Sequence, residues 1–159
     1  MPEIKPPQPL PTILPPRSLF LGGTIDMGGG ERWQERVVQG VFARFPDALI
    51  LNPRREEWDA SWKAVPENPE FAGQVRWEME GQERAGVRVY YFAENSRSPI
   101  TLLELGKYGT LPTLVFCPPG FYRSGNVALF CERYRIPCFA VEREWMDAVL
   151  HALLGLALR

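Results

Sequence analysis

Ser98-Pro99-Ile100-Thr101-Leu102-Leu103-Glu104-Leu105-Gly106 follows closely on an apolar run over 87–92. The run reads as a buried strand. Ser98 is a good N-cap residue and Pro99 a good first helical residue, so the pair predicts a helix start. Leu102, Leu103 and Leu105 are expected to bury that helix, and Glu104 sits among them. A carboxylate in apolar surroundings is costly unless it is paired or hydrated. Two readings of Glu104 stand. It is a helix residue pointing out to water, or it faces the crevice at the carboxyl end of a sheet, where open α/β folds bind ligands.

The same alternation continues in both directions. Apolar runs at 18–21, 48–51, 87–92, 113–117 and 136–141 read as strands. Helices are predicted at about 31–45, 68–84, 98–109, 127–134 and 142–158. Five alternations predict a parallel sheet covered on both faces, with right-handed crossovers. Trp33, Val37, Val38 and Val41 mark the core side of the first helix, and Trp145, Val149, Leu153 and Leu156 that of the last. Asn68-Pro69 repeats the cap-then-proline signal, and Gly86 is expected to close that helix. Phe71, Val75, Glu78, Met79 and Gln82 share one side of it, so Glu78 is a second carboxylate flanking an apolar stripe. The chain has no internal repeat.

The segments after the strands hold the remaining candidates. Gly22-Gly23-Thr24-Ile25 lets the backbone approach a ligand or turn tightly. Its spacing is neither GxGxxG nor a P-loop. Asn52-Pro53-Arg54-Arg55-Glu56-Glu57-Trp58-Asp59 is polar, aromatic and rich in donors. It reads equally as a ligand-binding loop or as a solvated charged turn. A loop with aromatics and donors, from Pro118 to Asn126, follows the fourth strand.

Composition narrows the chemistry. The 159 residues are expected to form one domain over 18–159, preceded by a flexible tail over 1–17 that holds seven of the sixteen prolines. Such a tail is expected to be extended or disordered, without helix or sheet. A net charge of −1 gives no global field for nucleic acid or an anionic membrane. No apolar run approaches a membrane span, and Met1 to Arg17 has no apolar signal core, so a cytoplasmic protein is expected. Cys117, Cys131 and Cys138 form no CxxC pair and read as reduced thiols. His151 is the only histidine and reads as a packing or surface residue. Multi-His metal sites are thereby excluded and a His-dependent triad is disfavoured. Acid–base or nucleophilic chemistry is expected to come mainly from carboxylates.

Taken together, Leu21-Gly22-Gly23, Asn52 to Asp59, Trp77-Glu78, Ser98 to Gly106 and Gly125-Asn126-Val127 resemble the nucleoside 2-deoxyribosyltransferase family. The likeness is to the branch with N-P-R-R-x-x-W-D, W-E, S-P-I-[ST]-L-L-E-L-G and a late G-N-V. It spans about residues 18 to 139, with the motifs in order and each at a strand end. The resemblance implies a flavodoxin-like five-stranded parallel sheet of order 2-1-3-4-5. It implies that Glu104 attacks the anomeric carbon of a 2'-deoxynucleoside and forms a covalent deoxyribosyl-enzyme, from which a second nucleobase takes the sugar with net retention. Glu78, 26 positions earlier, maps to the helper carboxylate that exchanges a proton with the base or holds its edge. Substrate-binding roles fall on Gly22, Gly23, Asn52, Arg54, Arg55, Trp58, Asp59, Trp77, Ser98 and Asn126. Asn126 resembles the Asn that a neighbouring subunit lends to the sugar 5'-hydroxyl, which implies a homo-oligomer with shared sites.

The expected partners are a deoxynucleoside and a nucleobase, with no cofactor, metal, nucleic acid or membrane. Ser98 stands where some family members carry Asp. That brings the chain nearer to relatives that hydrolyse nucleotides and use hydroxyls near the phosphate. An N-glycosidase acting on (deoxy)nucleosides or their 5'-monophosphates is therefore the competing enzyme, and a non-catalytic nucleotide-binding protein the competing class.

Overall fold

The computed structural model describes residues 3–25, 32–55, 57, 59 and 61–156. In chain order the elements are β1 (Glu3–Ile4), β2 (Ser18–Gly23), α1 (Trp33–Arg44), β3 (Leu49–Leu51), α2 (Pro69–Arg84), β4 (Val87–Tyr91), α3 (Pro99–Tyr108), β5 (Thr113–Phe116), α4 (Ser124–Tyr134), β6 (Cys138–Phe139) and α5 (Glu142–Leu156). They form one parallel sheet of order β1-β3-β2-β4-β5-β6. Without β1, this is the expected open sheet of order 2-1-3-4-5.

Strand alternation sets the two faces. Leu19, Leu21, Val89 and Tyr91 point to one side, where Trp33, Val37 and Val41 of α1 and Trp145, Val149 and Leu153 of α5 cover them. Phe20, Leu49 and Leu51 point to the other side and meet Trp77 of α2. Tyr90, Phe92 and Val115 share that second side and meet Leu105 of α3 and Val127 and Cys131 of α4. The sheet is thus buried on both faces, as parallel sheets require. The Asn68 side chain accepts from the N–H groups of Glu70 and Phe71 at 3.1 and 3.3 Å, so α2 begins with the expected cap.

Three local expectations are corrected. The proline-rich segment contributes a strand after all. Glu3 and Ile4 precede the first proline pair and keep their N–H groups, so they pair beside Ile50 and Leu51. The chain then crosses α2, where Trp77 Nε1 donates to Gln8 O at 2.8 Å and Arg84 donates to Pro11 O. Gly86 does not close α2 with a left-handed turn, because the C-cap is Ala85 in extended conformation. A Cβ at Gly86 would run into the carbonyl oxygen of Pro16. Leu103 does not help bury α3. It is 70% exposed on the side that opens on α2, and Thr101 and Leu105 on the other side of α3 are the buried residues.

Candidate active site

The sheet's order reverses at β2, whose neighbours are β3 and β4, and the carboxyl ends of β2 and β4 therefore open a crevice. Gly22 and Gly23 lie opposite Tyr90 and Tyr91 at that edge. Gly23 has φ +147°, and a Cβ there would stand 2.6 Å from Tyr91 O, so only glycine fits. Beyond it, Trp33 Nε1 donates to Thr24 O at 2.8 Å and pins the turn.

Both carboxylates singled out in the sequence reach this crevice. A cavity of about 390 Å³ is lined by Gly22, Gly23, Thr24, Ser96, Arg97, Ser98, Glu78 and Glu104, among others. A second, larger space of about 870 Å³ runs between α2 and α3. Phe71, Val75, Met79, Ile100 and Leu103 line it, and so do Glu78 and Glu104. The two carboxylates therefore stand where a smaller cavity of mixed lining meets a strongly apolar groove. Of the two readings of Glu104, the crevice-facing one describes the structure.

Both are half-buried, and each accepts one amide hydrogen bond. Gln82 Nε2 donates to Glu104 Oε1 at 2.8 Å, and Gln74 Nε2 donates to Glu78 Oε1 at 2.7 Å. Burial first, then the neighbouring Glu78 charge, push Glu104 up to about 8 from the usual 4.5, against the pull of the Gln82 N–H. Burial likewise raises Glu78, and its bond from Gln74 opposes the rise. Two carboxylates so placed do not both ionise at neutral pH, and the pair retains a proton.

Ser98 departs from its expected capping role. It takes the left-handed conformation, φ 42° and ψ 51°, and makes no capping bond to α3. Its hydroxyl lies 2.6 Å from Thr24 Oγ1 and 2.9 Å from Ser96 Oγ, and Thr24 Oγ1 is 3.0 Å from Ser96 Oγ. Side-chain bonding to the turn after β2 competes with capping and holds a backbone conformation that costs about 1–3 kcal/mol. The result is three hydroxyls gathered on the wall of the smaller cavity.

The other sequence candidates are not brought to the carboxylates. Trp77 and Glu78 are adjacent on α2, about 100° apart around the helix, so they cannot face one site. Glu78 takes the groove, and Trp77 is buried against Phe20 beneath the N-terminal segment. Asn52 is 2% exposed and donates to Glu3 Oε1 at 2.6 Å, and its carbonyl accepts from Arg54 N–H at 3.0 Å. It ties Glu3 to the end of β3 and lines neither cavity. Arg54 also lies off both cavities. Arg55 borders the outer end of the groove, bonded to Glu70 and 4.8 Å over the Trp62 ring. Asp59 is exposed and accepts from Ser61 N–H at 2.8 Å. Trp58 lies outside the described residues. Asn126 is exposed on the first turn of α4 and does not line the space around Glu104.

Sequence reasoning assigned no role to Gln82, Gln74, Tyr90, Thr24 or Ser96, all of which touch this site. Gln74, Glu78 and Gln82 recur every four residues along one side of α2, which is the signal available for the two amides. Among the described residues, no group of three or more His, Cys, Asp or Glu side chains is arranged to hold a metal ion. No helix among them is long and apolar enough to cross a membrane.

An open parallel sheet with a carboxylate pair in its switch-point crevice defines a doubly wound α/β protein. The family model described as nucleoside 2-deoxyribosyltransferase like matches residues 16–121, two thirds of the chain, and the chain belongs to that family. The matched span takes in Glu78, Ser98 and Glu104 and stops short of Asn126. No curated protein matches the chain.

Proposed function

We propose that this protein transfers 2-deoxyribose between nucleobases through a covalent intermediate on Glu104. The observation that carries the reading is the placing of Glu104 and Glu78 between a smaller cavity with three hydroxyls on its wall and an apolar groove. The cavity suits the sugar, and the groove beside Glu78 suits the flat, weakly polar base. Gln82 holds Glu104 Oε1, which leaves Oε2 to attack the anomeric carbon. As the new C–O bond forms, the C–N bond breaks and its electron pair passes to the base nitrogen. Attack needs Glu104 ionised, so the reacting form is the one in which the proton of the pair has passed from Glu104 to Glu78, which gives it to the departing base. The second base attacks the same carbon from the vacated side, returns a proton to Glu78 and frees Glu104, with net retention. No cofactor enters these steps.

A homo-oligomer belongs to this proposal. Asn126 is exposed and lies away from its own chain's carboxylates, so its role at the sugar 5'-hydroxyl requires the site of another chain. Size-exclusion chromatography with light scattering is expected to show an oligomer, and Asn126→Ala to lose activity without losing the fold. An active monomer would contradict it.

A second reading is favoured by the hydroxyls of Thr24, Ser96 and Ser98 on the cavity wall. They suit a 5'-phosphate, with Arg97 beside them, and point to an N-glycosidase of nucleoside 5'-monophosphates in which water takes the sugar from Glu104. One assay separates the readings. A deoxynucleoside and its 5'-monophosphate are each incubated with and without a second nucleobase, and the products are separated by chromatography. A new nucleoside that appears only with the second base supports transfer. Free sugar or sugar phosphate in both arms supports hydrolysis. Intact ligand recovered from the protein would mean a nucleotide-binding protein without catalysis.

A further inference from the structure

Gln82 is fully buried at the end of α2 and is held on every side. Its Oε1 accepts from the Tyr90 hydroxyl at 2.6 Å. Its Nε2 donates to Glu104 Oε1 at 2.8 Å and to the main-chain carbonyl of Glu78 at 3.2 Å. Its own carbonyl accepts from Nε of the buried Arg88. With Glu104 ionised, turning the amide over would set its oxygen against the Glu104 carboxylate and the Glu78 carbonyl, three acceptors with no donor among them. The Tyr90 phenol is also fully buried, and burial holds its ionisation well above the ordinary value, so it remains a donor. The Tyr90 ring in turn occupies the side-chain space of residue 22. A Cβ on Gly22 would stand 2.6 Å from its Cε1 and 2.7 Å from its Cδ1, and a ring buried on all sides cannot step aside cheaply.

We propose that Gln82 is the positioning residue of Glu104. The Glu78 main-chain carbonyl, which can only accept, fixes the amide so that an N–H meets the carboxylate. The Tyr90 hydroxyl completes the arrangement by donating to Oε1, and Gly22 is glycine because the Tyr90 ring needs its space. The inference rests on the reading of Glu104 as nucleophile. It gives Gly22 a role apart from admitting a ligand.

Two consequences follow for the carboxylate. One oxygen is held and the other is left free in a fixed direction. The N–H also favours the ionised form, because a neutral carboxyl whose proton faced the amide would meet a second donor. The amide acts here against several neighbours. Glu78 from α2, Tyr90 from β4 and Tyr108 from α3 act on Glu104, while Glu83, Lys107 and Arg55 line the groove and Arg97 the smaller cavity. Among the described residues, Gln82 is the donor bonded to the carboxylate.

The test follows the Glu104 carboxyl by ¹³C NMR in the ligand-free protein, in wild type and in Tyr90→Phe, Gln82→Met and Gly22→Ala. Labelling by a 2-fluorinated deoxynucleoside is measured across pH in parallel. The Glu104 titration midpoint is expected to move up in all three variants. Labelling at neutral pH should fall about tenfold and recover at alkaline pH, the pattern of a lost bond to a charged group. A general loss of packing would lower the rate at every pH alike. Should Gln82→Met fail to fold, Tyr90→Phe decides the matter, since it removes one oxygen atom. An unchanged Glu104 midpoint in Tyr90→Phe and in whichever other variants fold overturns the proposal. If the wild type shows no labelling at all, the transferase reading fails, and the NMR titration still decides the role of Gln82.

Discussion

Glu104→Gln is expected to fold normally and to lose transfer activity by several orders of magnitude, on the order of 10⁴-fold. The substitution keeps the volume of the side chain and an acceptor for Gln82, and removes the charge that attacks the anomeric carbon. No histidine stands near to replace it, since His151 lies on α5, across the sheet. Glu104→Ala should lose as much. Mass spectrometry of wild type treated with a 2-fluorinated deoxynucleoside should place the sugar on the peptide holding Glu104. An adduct elsewhere, or near wild-type turnover in the Gln variant, would remove this residue from the mechanism.

The same variant has a stability signature. The folded-state value of Glu104 lies above its ordinary one, so the folded protein binds the proton more tightly than the unfolded chain. That contribution is complete below the ordinary carboxylate value of 4.5 and is lost as pH rises through about 8. Wild type should therefore lose thermal stability between mildly acidic and mildly alkaline pH, and Glu104→Gln should lose less. Parallel melting curves of the two proteins across that range check the sign.

Glu78→Ala should lower turnover with an ordinary deoxynucleoside by about 10²–10³-fold, the size of effect typical of a lost proton donor. Covalent labelling should survive when the leaving group is activated, because such a group departs without a proton. The removal also takes a like charge from beside Glu104, so the rise of labelling with pH should shift toward lower pH. Unchanged kinetics would reduce Glu78 to a groove-lining residue. Labelling lost even with an activated leaving group would mean that Glu78 shapes the nucleophile rather than the proton transfer.

Much of the fold was legible from periods of two and 3.6 residues. The apolar runs became β2 to β6, and Asn68-Pro69 opened α2 with the cap its residue types predict. Trp145, Val149 and Leu153 are buried to the last Ångström, as their spacing on α5 requires. Glu104 and Glu78 were legible too, each as a charge set against an apolar stripe. These signals are local. A cap, a turn or a stripe is decided by residues within one or two turns of each other, and so a single sequence records it.

The misplaced details share a different cause. Ser98 has the composition of a cap, but its hydroxyl bonds to Thr24, 74 positions away, and the backbone follows. Leu103 looks like core, but its side of α3 opens on the groove toward α2. Trp77 and Glu78 are one motif in the sequence and two different faces in space. Asn52 spends its amide N–H on Glu3 and its side-chain oxygen on the Arg54 N–H. The sequence by itself determined the alternating elements, the order of the motifs and the two carboxylates. Tertiary structure alone decided what those carboxylates meet: Gln82 and Gln74 as donors, Tyr90 behind Gln82, and the missing Cβ of Gly22 behind Tyr90. The physical reason is that hydrogen bonds and steric fit join atoms whose separation along the chain carries no periodic signal, so they exist only once the helices have packed on the sheet.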